Sequence, residues 1–314
     1  MKILLTGSSG QLGNALLPQL SKLATVHVPL RQALDLANPA QLRQCIQDFK
    51  PDLIINPAAY TAVDLAESEK ELARIINVEA PALMAEEARK LGAGLIHYST
   101  DYVFDGEKRD ARGHWQAYVE SDSTHPQNVY GQTKLAGELA IAATGCRHLI
   151  LRTSWVYSLH GKNFLLTMLK LAREREHLRV VNDQWGTPNS AAWLAQATGD
   201  IIAGLLNTKD VAQWWESNAG VYHLSASGKT NWYEFAASII ARAEQQNSLG
   251  KAAPTLQGIA SSDYPTAARR PQNSMLDTQK IQAQFKLHVP EWQTCLHQCM
   301  QALQELKPLP HVES

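Results

Sequence analysis

Cysteine is scarce in this sequence of 314 residues, which contains only Cys45, Cys146, Cys295 and Cys299. Four thiols are too few for a disulfide framework in a chain of this length, so we expect a reducing, cytoplasmic compartment. Cys295 and Cys299 are four residues apart, which places them on one face of a predicted helix. No His or Cys pair of matching spacing completes a metal site, so we interpret both as packing or surface thiols.

The sequence also lacks an excess of charge of either sign and any long apolar run. It has 29 Lys and Arg residues against 30 Asp and Glu residues. The resulting net charge of -1 offers no general attraction to nucleic acids or to membrane surfaces. No stretch approaches the roughly 18 apolar residues of a membrane span, and the N-terminal apolar run is too short for the core of a signal peptide. We therefore expect neither a nucleic-acid partner nor a membrane partner.

The first half of the sequence alternates short apolar runs with longer helical patterns. The runs predict strands at 2–6, 25–28, 53–56, 95–99 and 149–153, and the patterns between them predict helices at 11–21, 39–49, 68–91 and 128–143. Strands that are apolar almost throughout are typical of a parallel sheet covered by helices on both faces. We therefore predict an α/β fold, with a Rossmann-type doubly wound domain over residues 1–153.

The rhythm is less regular after residue 153. Helical patterns at 163–176, 191–206, 232–243 and 291–306 and a strand at 179–182 are separated by polar connections that contain Gly and Pro. We expect residues 154–314 to complete the sheet in part and to form a smaller substrate-binding cap over the cleft.

A glycine-rich turn at residues 6–13 follows the first predicted strand and opens the first predicted helix. Glycines at such a turn let the backbone approach a pyrophosphate, whose charge is met by free N–H groups at the positive end of the helix. The turn therefore predicts a dinucleotide-binding site formed by Gly7, Gly10, Gln11, Leu12 and Gly13.

Tyr130 and Lys134 lie four residues apart near the start of a predicted helix, so the phenol and the ammonium share one helix face. A nearby cation favours the phenolate, which would lower the pKa of Tyr130 and suit it to proton transfer near neutral pH. Without the glycine turn upstream, such a pair is usually a solvated helix face.

Thr100 stands at the end of the fourth predicted strand, where ligands of such a sheet bind. Its hydroxyl can hydrogen-bond a substrate oxygen held beside Tyr130. The alternative is that Ser99, Thr100 and Asp101 are turn residues that bond their own backbone. We interpret His97, within the same strand, as a core residue whose ring is hydrogen-bonded.

Together these elements resemble the extended short-chain dehydrogenases/reductases and, more narrowly, the dTDP-4-dehydrorhamnose reductases. The narrower resemblance lies in six segments that span nearly the whole chain in the same order, at 58–64, 99–106, 128–138, 152–157, 182–188 and 270–274. Several motifs in one order are more specific than any one of them.

The resemblance implies reduction of the C4 keto group of dTDP-4-dehydro-β-L-rhamnose to dTDP-β-L-rhamnose, a precursor of bacterial surface polysaccharides. By this resemblance Tyr130 protonates the forming C4 alkoxide, Lys134 tunes Tyr130 and holds the nicotinamide ribose, and Thr100 hydrogen-bonds the same oxygen. NADPH or NADH supplies the hydride, so no protein nucleophile is needed.

The resemblance also extends the two binding sites. On the cofactor side it implies contributions from Asp35, Leu36, Ala58, Ala59, Tyr60 and Tyr102. On the substrate side it implies contributions from Trp155, Asn163, Gln184 and Arg270. Arg270 would pair with the substrate diphosphate through its planar guanidinium, and its alternative is an ordinary surface arginine.

The choice of cofactor depends on the end of the second strand. An acidic residue there would bind the ribose hydroxyls of NADH and repel a 2′-phosphate, but the chain carries Arg31 nearby instead. We therefore expect NADPH to be accepted at least as well as NADH. Asp35 is an alternative ribose ligand by its spacing from the glycine turn.

Some relatives, by the same resemblance, dimerise around a magnesium ion held by acidic residues. The corresponding positions here are Ala15, Ala192 and Gln293, which carry no carboxylate. We therefore expect no structural magnesium, and either a monomer or a dimer built differently.

Two alternatives to this function remain open. The glycine turn, Thr100 and the Tyr130–Lys134 pair do not select the sugar, so another nucleotide-sugar reductase or epimerase of the superfamily would carry the same residues. A non-catalytic, regulatory relative could keep the fold and the nucleotide site without turnover.

Overall fold

The first half of the chain folds as alternating strands and helices. The computed structural model describes residues 1–29 and 32–306, and Arg31 therefore lies outside the described residues. The strands are β1 Lys2–Leu5, β2 Thr25–His27, β3 Leu53–Asn56, β4 Gly94–Thr100 and β5 Arg147–Thr153. The helices are α1 Gln11–Leu20, α2 Pro39–Phe49, α3 Val63–Ala66, α4 Lys70–Arg74, α5 Ala80–Leu91 and α6 Val129–Thr144.

The second half contains shorter strands and the remaining helices. The strands are β6 Val156–Tyr157, β7 His177–Val181, β8 Trp185–Gly186, β9 Asn189–Ser190, β10 Gly220–His223, β11 Thr230–Asn231 and β12 Thr255–Ile259. The helices are α7 Phe164–Glu174, α8 Ala191–Asn207, α9 Val211–Asn218, α10 Trp232–Gln245, α11 Gln279–Phe285 and α12 Trp292–Glu305. The sequence patterns did not indicate α9, β10, α11 or β12.

The central sheet has six strands in the order β10-β5-β4-β3-β1-β2, and every neighbouring pair is parallel. The chain moves from β1 to β2 on one side and then returns to place β3 on the other side of β1. The order therefore reverses between β1 and β3, and their carboxyl ends form the crevice where doubly wound sheets bind ligands.

Helices cover both faces of this sheet because successive strand residues point to opposite sides. Ile3 and Leu5 pack with α1 and α8 on one face, whereas Leu4 packs with α2, α5 and α6 on the other. This arrangement confirms the predicted doubly wound class.

A second hydrophobic core lies apart from the sheet, between α7, α10 and α12. Phe235, Leu296 and Met300 are fully buried in it, and Cys295 and Cys299 belong to it as packing residues. Beside this core, β7 and β12 pair in parallel. The second half thus has a core of its own next to the carboxyl edge of the central sheet.

The single helix predicted over 68–91 is wrong. The chain forms α4, a π-helical segment at Ile75–Glu79 and then α5. Pro81 has no N–H to bond the carbonyl of Asn77, and its ring would clash with that carbonyl in a continuous α-helix. The carbonyl of Asn77 instead contacts α6 so closely that a Cβ at Gly137 would collide with it.

Candidate active site

The glycine turn lies at the crevice between β1 and β3. Gly7 has a φ of +58°, and a Cβ there would lie 2.8 Å from the Cβ of Ala58, which follows β3. A Cβ at Gly13 would collide with the carbonyl oxygen of Gly7. Only glycine therefore fits at these two positions, and the turn and the 58–60 segment meet as the sequence predicts.

The N-terminus of α1 opens into this crevice. Its N-cap residue, Gly10, has no side chain to bond the first helical amides, so they remain available for an anion. Gln11 connects the turn to the second half, since its side chain donates to the Val156 carbonyl at 3.3 Å and accepts from the Ser158 hydroxyl at 3.1 Å. A pyrophosphate therefore fits this cradle, which any larger residue at Gly7 or Gly13 would fill.

Asn77, in the π-helical segment, connects the 58–60 segment to α6. Its amide accepts from the backbone N–H of Tyr60 at 2.8 Å, donates to the Tyr60 carbonyl at 3.1 Å and donates to the Thr133 hydroxyl at 3.0 Å. The side chain is fully buried. Sequence reasoning missed Asn77, although Pro81 was a signal that the helix is interrupted there.

Thr100 ends β4 and caps the short 3-10 turn at Asp101–Val103. Its hydroxyl donates to the Asp101 carboxylate at 2.9 Å and accepts from the backbone N–H of Tyr102 at 3.2 Å. Burial raises the pKa of Asp101 to about 7, although hydrogen bonds from Thr100 and Ser274 oppose the rise. The hydrogen bonds expected if Thr100 and Asp101 are turn residues are therefore present. They hold the Thr100 hydroxyl at the crevice.

Tyr130 is the second residue of α6, whose N-cap Asn128 accepts from the backbone N–H of Gly131 at 2.8 Å. Its ring meets the ring of Tyr102 edge to face, with centroids 5.6 Å apart. Burial raises the pKa of Tyr130 to about 12, opposed by a hydrogen bond with Thr100 and reinforced by the charge of Asp101. The structure thus brings Thr100, Tyr102 and Tyr130 together.

The expectation that Lys134 lowers the pKa of Tyr130 is wrong in this structure. The Lys134 ammonium donates to the Tyr98 carbonyl at 2.6 Å and contacts the His97 ring at 3.0 Å. Lys134 is buried, and desolvation lowers its pKa to about 8, opposed by the charge of Glu138. Desolvation is the main cause of the raised pKa of Tyr130, and the Lys134 ammonium is bound on the strand side of the helix.

Trp155 follows β5 with a φ of +44°, a strained backbone conformation for a bulky residue. Its indole stacks on that of Trp232, with centroids 3.7 Å apart and planes 12° apart. Gln184 accepts from the Trp232 indole N–H at 3.2 Å. Trp155 and Gln184, two predicted substrate residues, therefore both contact Trp232. The sequence analysis did not single out Trp232.

The side chains of Asn163 and Arg270 both form hydrogen bonds within the protein. Asn163 caps α7 by accepting from the Leu166 N–H at 3.1 Å, and it donates to the Ser158 carbonyl at 2.8 Å. Arg270 donates to both carboxylate oxygens of Asp64. Asp64 is thus a third residue that sequence reasoning left without a role.

The remaining positions range from exposed to half-buried. Asp35 is exposed and its carboxylate accepts from the Ala37 N–H at 2.9 Å, while Leu36 packs on the core under α2. Ala192 and Gln293 are exposed, and Ala15 is half-buried. Within residues 1–29 and 32–306 no group of His, Cys, Asp or Glu is arranged to hold a metal ion. No helix in that part of the chain is long and apolar enough to cross a bilayer.

The chain is similar to known proteins along nearly its whole length. A family model described as the RmlD substrate binding domain matches residues 1–305. The dTDP-4-dehydrorhamnose reductase of Escherichia coli (strain K12) is 44% identical over 297 residues, which cover 93% of this chain and 95% of that protein. The dTDP-4-dehydrorhamnose reductase of Burkholderia thailandensis is 41% identical over 308 residues, which cover 96% and 99%.

A solved structure has the same fold. The crystal structure of dTDP-4-dehydrorhamnose reductase from Bacillus anthracis str. Ames in complex with NADP superposes with a TM-score of 0.84 at 32% identity and covers 96% of this chain and 99% of that chain. The chain therefore belongs to the RmlD family, the family of the dTDP-4-dehydrorhamnose reductases.

Proposed function

We propose that this chain is an oxidoreductase that reduces the C4 keto group of dTDP-4-dehydro-β-L-rhamnose to dTDP-β-L-rhamnose. The product would serve dTDP-rhamnose and surface polysaccharide biosynthesis, including lipopolysaccharide O-antigen. The observation that carries the proposal is the similarity to reductases of that name along more than nine-tenths of the chain.

We assign NADPH as the preferred cofactor, with NADH as an alternative. When bound, it supplies the hydride for C4. Gly7, Gly10, Gln11, Leu12 and Gly13 would hold its pyrophosphate at the start of α1. Further contacts are assigned to Arg31, Asp35, Leu36, Ala58, Ala59, Tyr60 and Tyr102. The NADP-bound relative and the collision that any Cβ at Gly13 would cause support this assignment.

Tyr130 is the proposed proton donor to the C4 oxygen. With a pKa of about 12, its phenol keeps its proton at neutral pH, which suits the direction of reduction. Thr100 hydrogen-bonds the same oxygen as negative charge develops on it, once its hydroxyl hydrogen turns from the Asp101 carboxylate toward that oxygen. Lys134 holds the nicotinamide ribose through the ammonium hydrogen that neither Tyr98 nor His97 takes.

The nucleotide sugar is assigned to the second half, with contacts from Trp155, Asn163, Gln184 and Arg270. In this division residues 1–153 bind the cofactor, and residues 154–314 complete the sheet and form the substrate-binding part. The separate hydrophobic core around Phe235 supports it. Asn163 also holds the 158–163 loop in place, because both of its amide atoms bond the protein.

We further propose that the protein works in the cytoplasm as a monomer or as a dimer that does not depend on magnesium. Carboxylates are absent at Ala15, Ala192 and Gln293, and a hard cation needs oxygen ligands. Sedimentation with and without EDTA tests this statement. A dimer that EDTA dissociates would contradict it.

The function is tested with purified protein, NADPH and dTDP-4-dehydro-L-rhamnose, by following the loss of NADPH absorbance and identifying the sugar product. We expect stoichiometric formation of dTDP-L-rhamnose. Faster turnover of a different nucleotide sugar would favour another reductase or epimerase of the superfamily. NADPH binding without turnover of any sugar would favour a regulatory relative.

A further inference from the structure

Four buried polar side chains form a continuous row beneath the proposed catalytic residues. Thr6 and Asn56 are joined by a 2.6 Å hydrogen bond, and Asn56 and the Nδ1 atom of His97 by one of 3.1 Å. The Nε2 atom of His97 lies 3.0 Å from the Nζ atom of Lys134. Each of the four side chains is at most 1% exposed. A row of this kind is costly to bury unless every member is hydrogen-bonded.

The central sheet holds this row in place. Thr6 directly follows β1, Asn56 ends β3 and His97 lies in β4, and these three strands are neighbours. Asn56 and His97 are register partners in the β3–β4 ladder. The position of the His97 ring is therefore set by the backbone, and only Lys134 reaches the row from a helix.

The direction of the hydrogen bonds follows from the charge of Lys134. A protonated ammonium can only donate, so the Nε2 atom of His97 accepts and its Nδ1 atom carries the hydrogen. His97 is neutral because burial, and then the charge of Lys134, lower its pKa well below the ordinary value. In the structure the Asn56 amide nitrogen faces Nδ1 and its oxygen accepts from the Thr6 hydroxyl. With Lys134 protonated, a half-turn of this amide lets Nδ1–H donate to the amide oxygen of Asn56 and lets the NH₂ group donate to the hydroxyl of Thr6.

Every one of these bonds can also run the other way. If Lys134 loses its proton, its lone pair can accept from a His97 ring protonated at Nε2. The Nδ1 atom then accepts from the NH₂ group of Asn56, and the amide oxygen accepts from the hydroxyl of Thr6. The change needs a tautomer shift at His97 and a half-turn of the Asn56 amide. Each of the three contacts along the row is kept as a hydrogen bond in both states.

We propose that His97 is a positioning residue for Lys134, and that the row from His97 to Thr6 accommodates both protonation states of Lys134. The inference deepens the proposed function and rests on it, because Lys134 is assigned there to the nicotinamide ribose. His97 and the Tyr98 carbonyl take two ammonium hydrogens and leave the third for the crevice.

Other charged groups face Lys134 and Tyr130 from the surrounding elements. Glu138 lies one turn further along α6 and raises the pKa of Lys134, but it is itself held by Arg152 of β5 in a buried ion pair at 2.6 Å. Asp101 acts on Tyr130. His97 is the side chain that contacts the ammonium directly, so Lys134 is the first residue that replacing His97 should affect.

The test uses two variants that separate the two ring nitrogens of His97. In His97→Gln the side-chain oxygen can take the place of Nε2 and accept from Lys134. In His97→Asn the shorter side chain keeps the contact with Asn56 and loses the one with Lys134. Accepting a hydrogen bond from the ammonium favours its charged form, so His97→Asn should lower the pKa of Lys134.

The measurement is the dissociation constant for NADPH across neutral and alkaline pH, which needs no substrate. Wild type should lose affinity as pH rises past the Lys134 pKa of about 8. In His97→Asn this midpoint should fall by about one pH unit, the worth of a hydrogen bond to a charged group. His97→Gln should keep the wild-type midpoint. His223→Asn is the matched control, since His223 is fully buried in β10 and its ring bonds the Asp277 carbonyl instead.

An unmoved midpoint in folded His97→Asn, or an equal fall in His97→Gln, would overturn the proposal, as would a wild type without an alkaline midpoint. If His97→Asn does not fold, Asn56→Leu combined with His97→Leu replaces both partners of a buried bond by apolar groups, with the same shift expected. Failure of the function is a different result. In that case wild type and variants bind NADPH as described, and wild type does not reduce dTDP-4-dehydro-L-rhamnose.

Discussion

Arg270 and Asp64 form a two-point ion pair, with guanidinium nitrogens 3.1 and 2.7 Å from the two carboxylate oxygens. The same carboxylate accepts from the backbone N–H of Ala268 at 3.0 Å. The pair ties the loop that carries Arg270 to α3, which follows the cofactor-side segment 58–60. The direction in which the guanidinium points is therefore set by a residue of the first half.

The first prediction concerns this pair. Asp64→Asn keeps the shape of the side chain but removes its charge, so Arg270 loses its fixed orientation. If Arg270 binds the substrate diphosphate, the KM for the nucleotide sugar should rise roughly tenfold, as expected for a weakened charged hydrogen bond. The turnover number and the KM for NADPH should change little.

Glu71→Gln is the control for this prediction. It is the same change in the exposed ion pair of Arg74, which should contribute little. An unchanged KM for the sugar in both Asp64→Asn and Arg270→Ala would remove Arg270 from the substrate site. Since Arg270 holds the pKa of Asp64 below its ordinary value, the pair should weaken only as pH falls into the acid range.

The second prediction is the loss of proton donation. Tyr130→Phe keeps the ring and most of its packing, so turnover should fall about 10²- to 10⁴-fold while NADPH binding stays close to that of wild type. Thr100→Val should cost less, about 10- to 100-fold, because it removes one hydrogen bond to a charged oxygen. Single-turnover kinetics and NADPH titration separate the two effects. Tyr233→Phe on α10 controls for loss of a tyrosine hydroxyl, and near-normal turnover in folded Tyr130→Phe would refute the assignment.

The third prediction compares two glycines that lie inside helices. A Cβ at Gly13 would collide with backbone atoms of the glycine turn, whereas at Gly204 of α8 the nearest atom would be 4.0 Å away. Gly13→Ala should therefore weaken NADPH binding and destabilise the protein by roughly 1–3 kcal/mol. Gly204→Ala should bind NADPH normally and gain up to about 1 kcal/mol of stability from helix propensity. Thermal unfolding with and without NADPH measures both the stability and the NADPH binding of each variant. Equal behaviour of the two variants would contradict a pyrophosphate site at the glycine turn.

The fourth prediction concerns the choice of cofactor. Arg31→Ala should lower the catalytic efficiency with NADPH by roughly tenfold and leave that with NADH nearly unchanged, because only NADPH carries the 2′-phosphate that a guanidinium binds. Steady-state kinetics with both cofactors is the measurement. A strong preference of wild type for NADH, unaltered in Arg31→Ala, would instead favour Asp35 as the ribose ligand.

The strands and helices of the first half could be predicted because burial on both faces leaves a plain pattern. All four residues of β3 and all seven of β4 are buried, so each strand contains consecutive apolar residues that do not alternate with polar ones. β10 was not indicated, because its two apolar residues, Val221 and Tyr222, stand between a glycine and a histidine, so the strand depends on its partner β5. The π-helical segment was missed because helical periodicity was given more weight than Pro81.

The site was predictable where a residue acts through local geometry. Gly7 and Gly13 are of this kind. Three other residues act through distant partners. Asn77 bonds a residue 56 positions away, Asp64 bonds one 206 positions away, and Trp232 stacks on another aromatic ring. No local pattern marks such residues. The predicted shift in the pKa of Tyr130 was wrong in direction for the same reason, since the bond between Lys134 and the Tyr98 carbonyl exists only in the folded protein.

The strand that completes the sheet is also the last of its six strands to be synthesised. β5 ends at Thr153 and its neighbour β10 begins at Gly220. At roughly 5–20 residues per second, a ribosome leaves the edge of β5 uncovered for several seconds before β10 emerges. An uncovered apolar edge invites pairing with other nascent chains. A fragment that stops at residue 153 would keep this edge open permanently, so residues 1–153 cannot be produced on their own without a risk of aggregation.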